Sequence, residues 1–186
     1  MLCGRRQSKV STRGRRAGER RRRTCRAQSI QPDPRVASKY LLLREQVLKY
    51  TSEDMNLLLE NDEQVYVALF DIPLESNIIG FQTQTLALIF GLNTHIYHGS
   101  GETIVGLEKN PNVMKAMQSL FVSSSQVLSK MRMVNKGDFF NSNYVRVYLK
   151  TNQGIHYKEL KEDTKEDKFL LMLMNYVLKE ISDIKS

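Results

Sequence analysis

From Ser38 onward the apolar positions follow two different periods, and each switch between them marks an element. "SKYLLLREQVLKYTSEDMNLLLEND" mixes leucine with charge, and Leu43, Val47 and Tyr50 fall on one face of a predicted helix. Ser52 predicts the cap of a second short helix through Leu59. In "EQVYVALFDIP" (63–73) Val65, Val67 and Leu69 alternate with Tyr66, Ala68 and Phe70. Both sides are apolar, which predicts a central strand covered on both faces and stopped by Pro73. "NIIGFQTQTLALIFG" (77–91) would spread polarity around a helix. As a strand it puts Ile79, Phe81, Thr83, Thr85, Ala87 and Ile89 on one side and Gln82 and Gln84 on the other, with Gly80 as a bend.

Thr94, Ile96 and His98 alternate with His95 and Tyr97, and Thr103–Val105 follows after Gly99-Ser100-Gly101, a glycine-flanked joint between antiparallel strands. Asn110-Pro111 then opens a helix, with Asn as cap and Pro in the first turn. Val113, Met117, Leu120, Phe121, Leu128 and Met131 carry the helical period onward. Tyr144, Arg146 and Tyr148 alternate with Val145, Val147 and Leu149 in one arm of a hairpin that turns at 152–154 and returns over 155–160. A capping box, Thr164 with Asp167, begins a last helix striped by Phe169, Leu173, Tyr176, Val177, Ile181 and Ile184. The sum is an α+β fold of order α-ββββ-α-ββ-α, an antiparallel sheet of about six strands with flanking helices.

Charge divides the chain differently. Of 28 basic and 20 acidic residues, twelve and two fall within 1–38, net +10, which leaves sixteen and eighteen, net −2, for the rest. Both cysteines, Cys3 and Cys25, also lie in the tail. The body therefore has no thiol for a disulfide, a zinc site or nucleophilic catalysis. Large apolar residues are sparse over 1–37, so this segment is expected to be a disordered arginine-rich tail and 38–186 a single domain. Arg20, Arg21, Arg22 and Arg23 suit a nuclear localisation signal or contacts to nucleic-acid phosphates. An acid-poor arginine leader also fits a mitochondrial presequence, and a passive extension fits as well. No apolar run spans a membrane, and no apolar core of a secretory signal is present. The expected compartment is the cytoplasm or nucleus.

The stretch "THIYHGSGE" (94–102) gathers two histidines, a serine and a glutamate. On a strand His95 and His98 point to opposite faces and cannot share a metal. The nucleophile elbow would need glycine where His98 stands. A hairpin turn is the expected role, with a hydrolase centred on His98, Ser100 and His156 as the catalytic alternative. No phosphate loop, dinucleotide fingerprint or zinc spacing occurs, so no cofactor is expected. "KGDFFNSNYVRVYL" touches the RNA-recognition pattern, but Asp138 replaces its first aromatic, and the strand order differs. Lys136, Arg146 and Lys150 are the body cations that could assist a nucleic-acid-binding tail.

The final helix is apolar around more than one face. Leu170, Leu171, Met174 and Leu178 are the candidate partner-binding residues. The succession "TIVGLEKNPNVMKAMQSLFV", "YVRVYLK", "KFLLMLMNYVLKEI" resembles the helix–strand–helix ending of the small proteasome-assembly chaperones, over the C-terminal half of the chain. That resemblance implies a non-enzymatic subunit that pairs with another and holds components during assembly. The extra strand at 155–160 and the arginine tail depart from that family. The expectation is a protein-binding assembly chaperone or adaptor with a hetero- or homodimeric partner, and nucleic-acid binding through the tail is the alternative.

Overall fold

The computed structural model describes residues 36–74, 82–91 and 93–184. The arginine tail with Arg20–Arg23, and the bend expected at Gly80, lie outside these residues.

One helix, α1 (Ser38–Lys49), precedes four strands, β1 (Val67–Leu74), β2 (Gln82–Ile89), β3 (Asn93–His98) and β4 (Thr103–Ile104). Helix α2 (Pro111–Ser124) follows and tightens into a 3₁₀ segment over Ser125–Lys130. Then come β5 (Arg132–Val134), β6 (Val145–Thr151), β7 (Gly154–Leu160) and α3 (Lys165–Ile184). The strands form one sheet of order β4-β3-β2-β1-β6-β7-β5, and every neighbouring pair is antiparallel. Four strands on one side of α2 and two on the other were expected. The seventh, β5, is a three-residue piece created by pairing with β7.

The expected central strand sits in the middle of the sheet. Its regular pleat starts at Val67 rather than near Glu63. Tyr66 and Val67 belong to the same core cluster, whereas Val65 and Ala68 belong to the opposite one. Pro73 does not end β1, which continues to Leu74. Pairing with β6 stops at Asp71, so Pro73 occupies a stretch paired to β2 alone, where a missing N–H is tolerated.

Alternation along the strands assigns two cores. Ala68, Phe70, Leu86, Leu88, Ile96, Val147 and Leu149 face α2 and α3. Val67, Leu69, Ala87, Ile89, Tyr97 and Tyr148 face α1. Helix α1 turns Tyr40, Arg44, Val47 and Leu48 inward, leaving Leu43 at the fringe. The segment after it forms turns over 52–56 instead of the short helix expected from Ser52. Thr51 and Asp54 bond each other's backbone there, as short polar side chains do when they compete with helix.

The expected Asn110 cap forms, and of the expected Thr164–Asp167 box the Thr164 half forms while Asp167 reaches back to Lys161 instead of Thr164. The Asn110 side chain accepts from Asn112 N at 2.9 Å and Val113 N at 3.4 Å, with Pro111 opening α2. Thr164 Oγ1 accepts from Asp167 N at 3.1 Å, while Asp167 Oδ2 accepts from Lys161 N at 3.2 Å. Helix α3 buries Leu170, Leu173, Met174, Val177 and Ile181, and Tyr176 and Ile184 of the expected stripe face solvent.

Candidate functional site

The sheet face under α1 should be apolar, yet a row of polar residues crosses it. Register aligns Thr103, Tyr97, Thr85, Asp71, Arg146 and Glu159 directly across six strands. Asp71 sits at the centre of this row, and its side chain is 0 % exposed. Arg44 descends from α1 and holds it in two-pronged fashion. Its Nε donates to Oδ1 at 2.9 Å and to Oδ2 at 3.0 Å, and its Nη2 donates to Oδ2 at 2.7 Å. Arg44 Nη1 donates to the Gly137 carbonyl. Arg146 approaches the same carboxylate from β6, with Nη2 3.3 Å from Oδ2. Thr85 Oγ1 donates to Asp71 Oδ1 at 2.7 Å and lies 2.6 Å from the Tyr40 hydroxyl.

Aromatic rings close this cluster. Segment 135–143 folds over the β6–β7 half of the same face and places Phe139 edge-on to Tyr40, with centroids 5.4 Å apart. The Arg44 guanidinium carbon lies 4.7 Å from the Tyr148 ring centroid. Gly137 passes close to this cluster, where a Cβ would displace Leu48 Cδ1 and press on the Tyr148 ring.

Electrostatics follow from burial. Burial alone would weaken Arg44's hold on its proton, but the charge and hydrogen bonds of Asp71 outweigh it and raise the pKa. Burial, then the Asp71 charge, drives the Tyr40 phenol well above its ordinary value. Tyr148 is pushed up to about 12, chiefly by burial. Tyr40, Arg44 and Tyr148 therefore hold their protons at neutral pH. Sequence reading missed the cluster. The available signal was one aspartate at an inward position of an otherwise apolar central strand, with an arginine on the buried stripe of the preceding helix.

The "THIYHGSGE" stretch is the expected hairpin. Gly101 N donates to His98 O at 2.8 Å and His98 N to Glu102 O at 2.9 Å, closing the turn between β3 and β4. Gly101 has φ +91°, and Ser100 Oγ accepts from Glu102 N at 3.5 Å. Gly99 N donates to Thr83 O at 2.7 Å, and Gly99 O accepts from Ala37 N at 2.8 Å. The turn is thereby tied to the chain entering α1.

The three histidines do not meet. His95 turns to the α1 side, its Nδ1 2.8 Å from the Tyr97 hydroxyl, and borders a hollow of about 230 Å³ against Leu43, Val47 and Val105. Burial lowers its pKa, against a raising contribution from Glu108. His98 belongs to the opposite side of β3. His156 lies on β7, four strand steps from β3, roughly 19 Å at ~4.8 Å per step. Acid–base catalysis shared by His98 and His156 is out of hydrogen-bond reach. Among the described residues no three His, Cys, Asp or Glu side chains converge as a metal site, and no helix is long and apolar enough to cross a membrane.

The body cations assigned to nucleic acid are mostly committed elsewhere. Arg146 is buried on Asp71. Lys150 Nζ donates to Leu48 O at 2.8 Å and to Tyr50 O at 2.5 Å, so it caps the end of α1. Lys136 is exposed. Of the residues assigned to a partner, Leu170 and Met174 pack inside the chain's own core, and Leu171 and Leu178 lie half-buried at its fringe. Met172, at 57 % exposure, Tyr176 and Ile184 are large apolar side chains that α3 turns to solvent.

The chain matches no family model, no curated protein and no solved structure.

Proposed function

We propose that this chain is a non-enzymatic protein-binding module, an assembly chaperone or adaptor subunit that works within a complex. The observation that carries the reading is apolar surface on the helical side of the sheet. Val122, 73 % exposed, stands at the rim of a recess of about 270 Å³ lined by Val65, Phe90 and Phe121, with Glu60, Asn61 and Gln64 around it. That volume suits one large apolar side chain from another protein, and the mixture of apolar floor and polar rim is that of a protein interface. Met172 and Tyr176 add apolar area on α3. The resemblance to the small proteasome-assembly chaperones points in the same direction.

Strand addition is a poorer mode for this chain. Its outer strands, β4 and β5, have two and three residues, too few for an extended ladder with a partner. Docking through the helices is the mode this reading favours.

The test is affinity purification of the full chain beside two variants, Val122→Arg and Met172→Glu, with mass spectrometry of what co-elutes in stoichiometric amount. A defined partner that is lost with either variant, while circular dichroism and melting stay unchanged, supports the reading. Undiminished capture by both variants, or no stoichiometric partner at all, overturns it.

A further inference from the structure

Arg44 uses all three of its guanidinium nitrogens in hydrogen bonds. Arg146, its counterpart across Asp71, does not. Its side chain is 3 % exposed, and only Nη2 reaches the carboxylate. Nε and Nη1 are buried with no hydrogen-bond partner among the described residues. Two unsatisfied donors on a buried cation are costly, and native structures rarely leave such groups empty.

Charge makes the same point independently. Two guanidiniums share one carboxylate, which leaves one positive charge in excess inside the sheet face. Glu159 stands opposite Arg146 in register, but its Oε1 accepts from Ser142 Oγ at 2.5 Å and its Oε2 lies 3.7 Å from Lys161 Nζ. It bonds neither of the two orphan donors of Arg146. The Arg146 guanidinium carbon lies over the rings of Phe139 and Phe140, 4.8 and 4.3 Å from their centroids. Ring faces attract a cation without neutralising it.

Beside Arg146 is a hollow of about 10 Å³, lined also by Asp71, Thr83, Asn141, Ser142 and Tyr144. It has room for one water-sized atom beside the Asp71 carboxylate. The unsatisfied donors there are those of Arg146, since the Ser142 and Thr83 hydroxyls donate to Glu159 and to Ile72 O. A water would occupy the space and leave the charge. We infer that this hollow is an anion site in which Arg146 takes a single anionic atom, a halide or one oxygen of a carboxylate. The inference is independent of the partner reading above, because it rests on the Arg146 donors and the charge they carry.

The arginine Nε–H signals in a ¹H–¹⁵N spectrum of the full chain read the site directly, with the Arg146 signal assigned by its loss in Arg146→Lys. Sodium chloride or sodium formate is titrated at constant ionic strength against sodium hexafluorophosphate, whose anion is too wide for the hollow. The expected result is a shift of the Arg146 signal that reaches a plateau while other arginine signals stay in place. A parallel rise of the melting midpoint is also expected, present in the parent chain and absent in Arg146→Lys. N-acetylglutamate α-amide in place of formate distinguishes the source. A plateau with it assigns a carboxylate carried on a peptide, and a plateau with chloride or formate alone assigns a free small anion. No saturable shift with any of the three, or equal drift of all arginine signals, overturns the inference.

Discussion

Arg44 and Asp71, 27 positions apart in the chain, join the helix on one sheet face to the central strand beneath it through an ion pair whose side chains are 3 % and 0 % exposed. A pair so fully desolvated gives little net stability compared with apolar groups of the same shape, but breaking it is expensive. Asp71→Ala, which strands two buried guanidiniums, is expected to cost about 3–5 kcal/mol in urea denaturation. Replacing the whole trio, Arg44→Met with Asp71→Leu and Arg146→Met, should lose less than that single change. A loss under about 1 kcal/mol for Asp71→Ala would mean that water reaches the cluster.

Lys150 performs a different service for the same helix. Its ammonium bonds two carbonyls at the end of α1, where cations are favoured by the helix dipole and by carbonyls left without intrahelical donors. Lys150→Met keeps the stem and removes the charge. It should cost about 1.5–3 kcal/mol, the range for hydrogen bonds to a charged group. Amide hydrogen exchange should quicken in the last turn of α1 and stay unchanged in α3. Equal acceleration in both helices would refute a local capping role.

Much of this architecture could be read from the residues alone. The alternation in "YVRVYLK" correctly separated Arg146 and Tyr148 from Val147 and Leu149, because side-chain direction along a strand depends only on position. Asn110-Pro111 and Thr164…Asp167 marked helix starts for equally local reasons. What escaped depends on distant segments. Strand β5 exists because Met133 and its neighbours meet β7 across the end of the sheet, and three residues carry too little periodicity to announce that. The end of α2 tightens into a 3₁₀ segment after Ser124 and Ser125, whose hydroxyls donate to the backbone carbonyls of Phe121 and Val122. The Arg44–Asp71–Arg146 cluster was hidden because each member looks like an ordinary charge until three elements bring them together.

Acid should weaken the fold through two partly buried histidines. His95 and His156 both have pKa values below the ordinary 6.5, lowered chiefly by burial and opposed by Glu108 and Glu63 respectively. Between that ordinary value and the lower folded one, the unfolded chain binds more protons than the folded chain, so stability is lost as pH falls through this window. The urea midpoint should be lower at about pH 5.5 than at about pH 7.5, and His156→Gln should reduce the difference. An unchanged midpoint in the parent chain would remove the argument.

Asn110→Ala tests the entry to α2. With Asn112 N and Val113 N left without their acceptor, about 1 kcal/mol should be lost. Asn110→Asp should retain most of it, and thermal melts of the three proteins side by side read the difference.

The brevity of β4 and β5 reaches beyond a single molecule. A sheet whose margins are two and three residues long gives another sheet almost nothing to zip onto. Edge-to-edge growth of copies through these native margins is disfavoured, and where β7 runs past β5 it carries the charged Lys158 and Glu159.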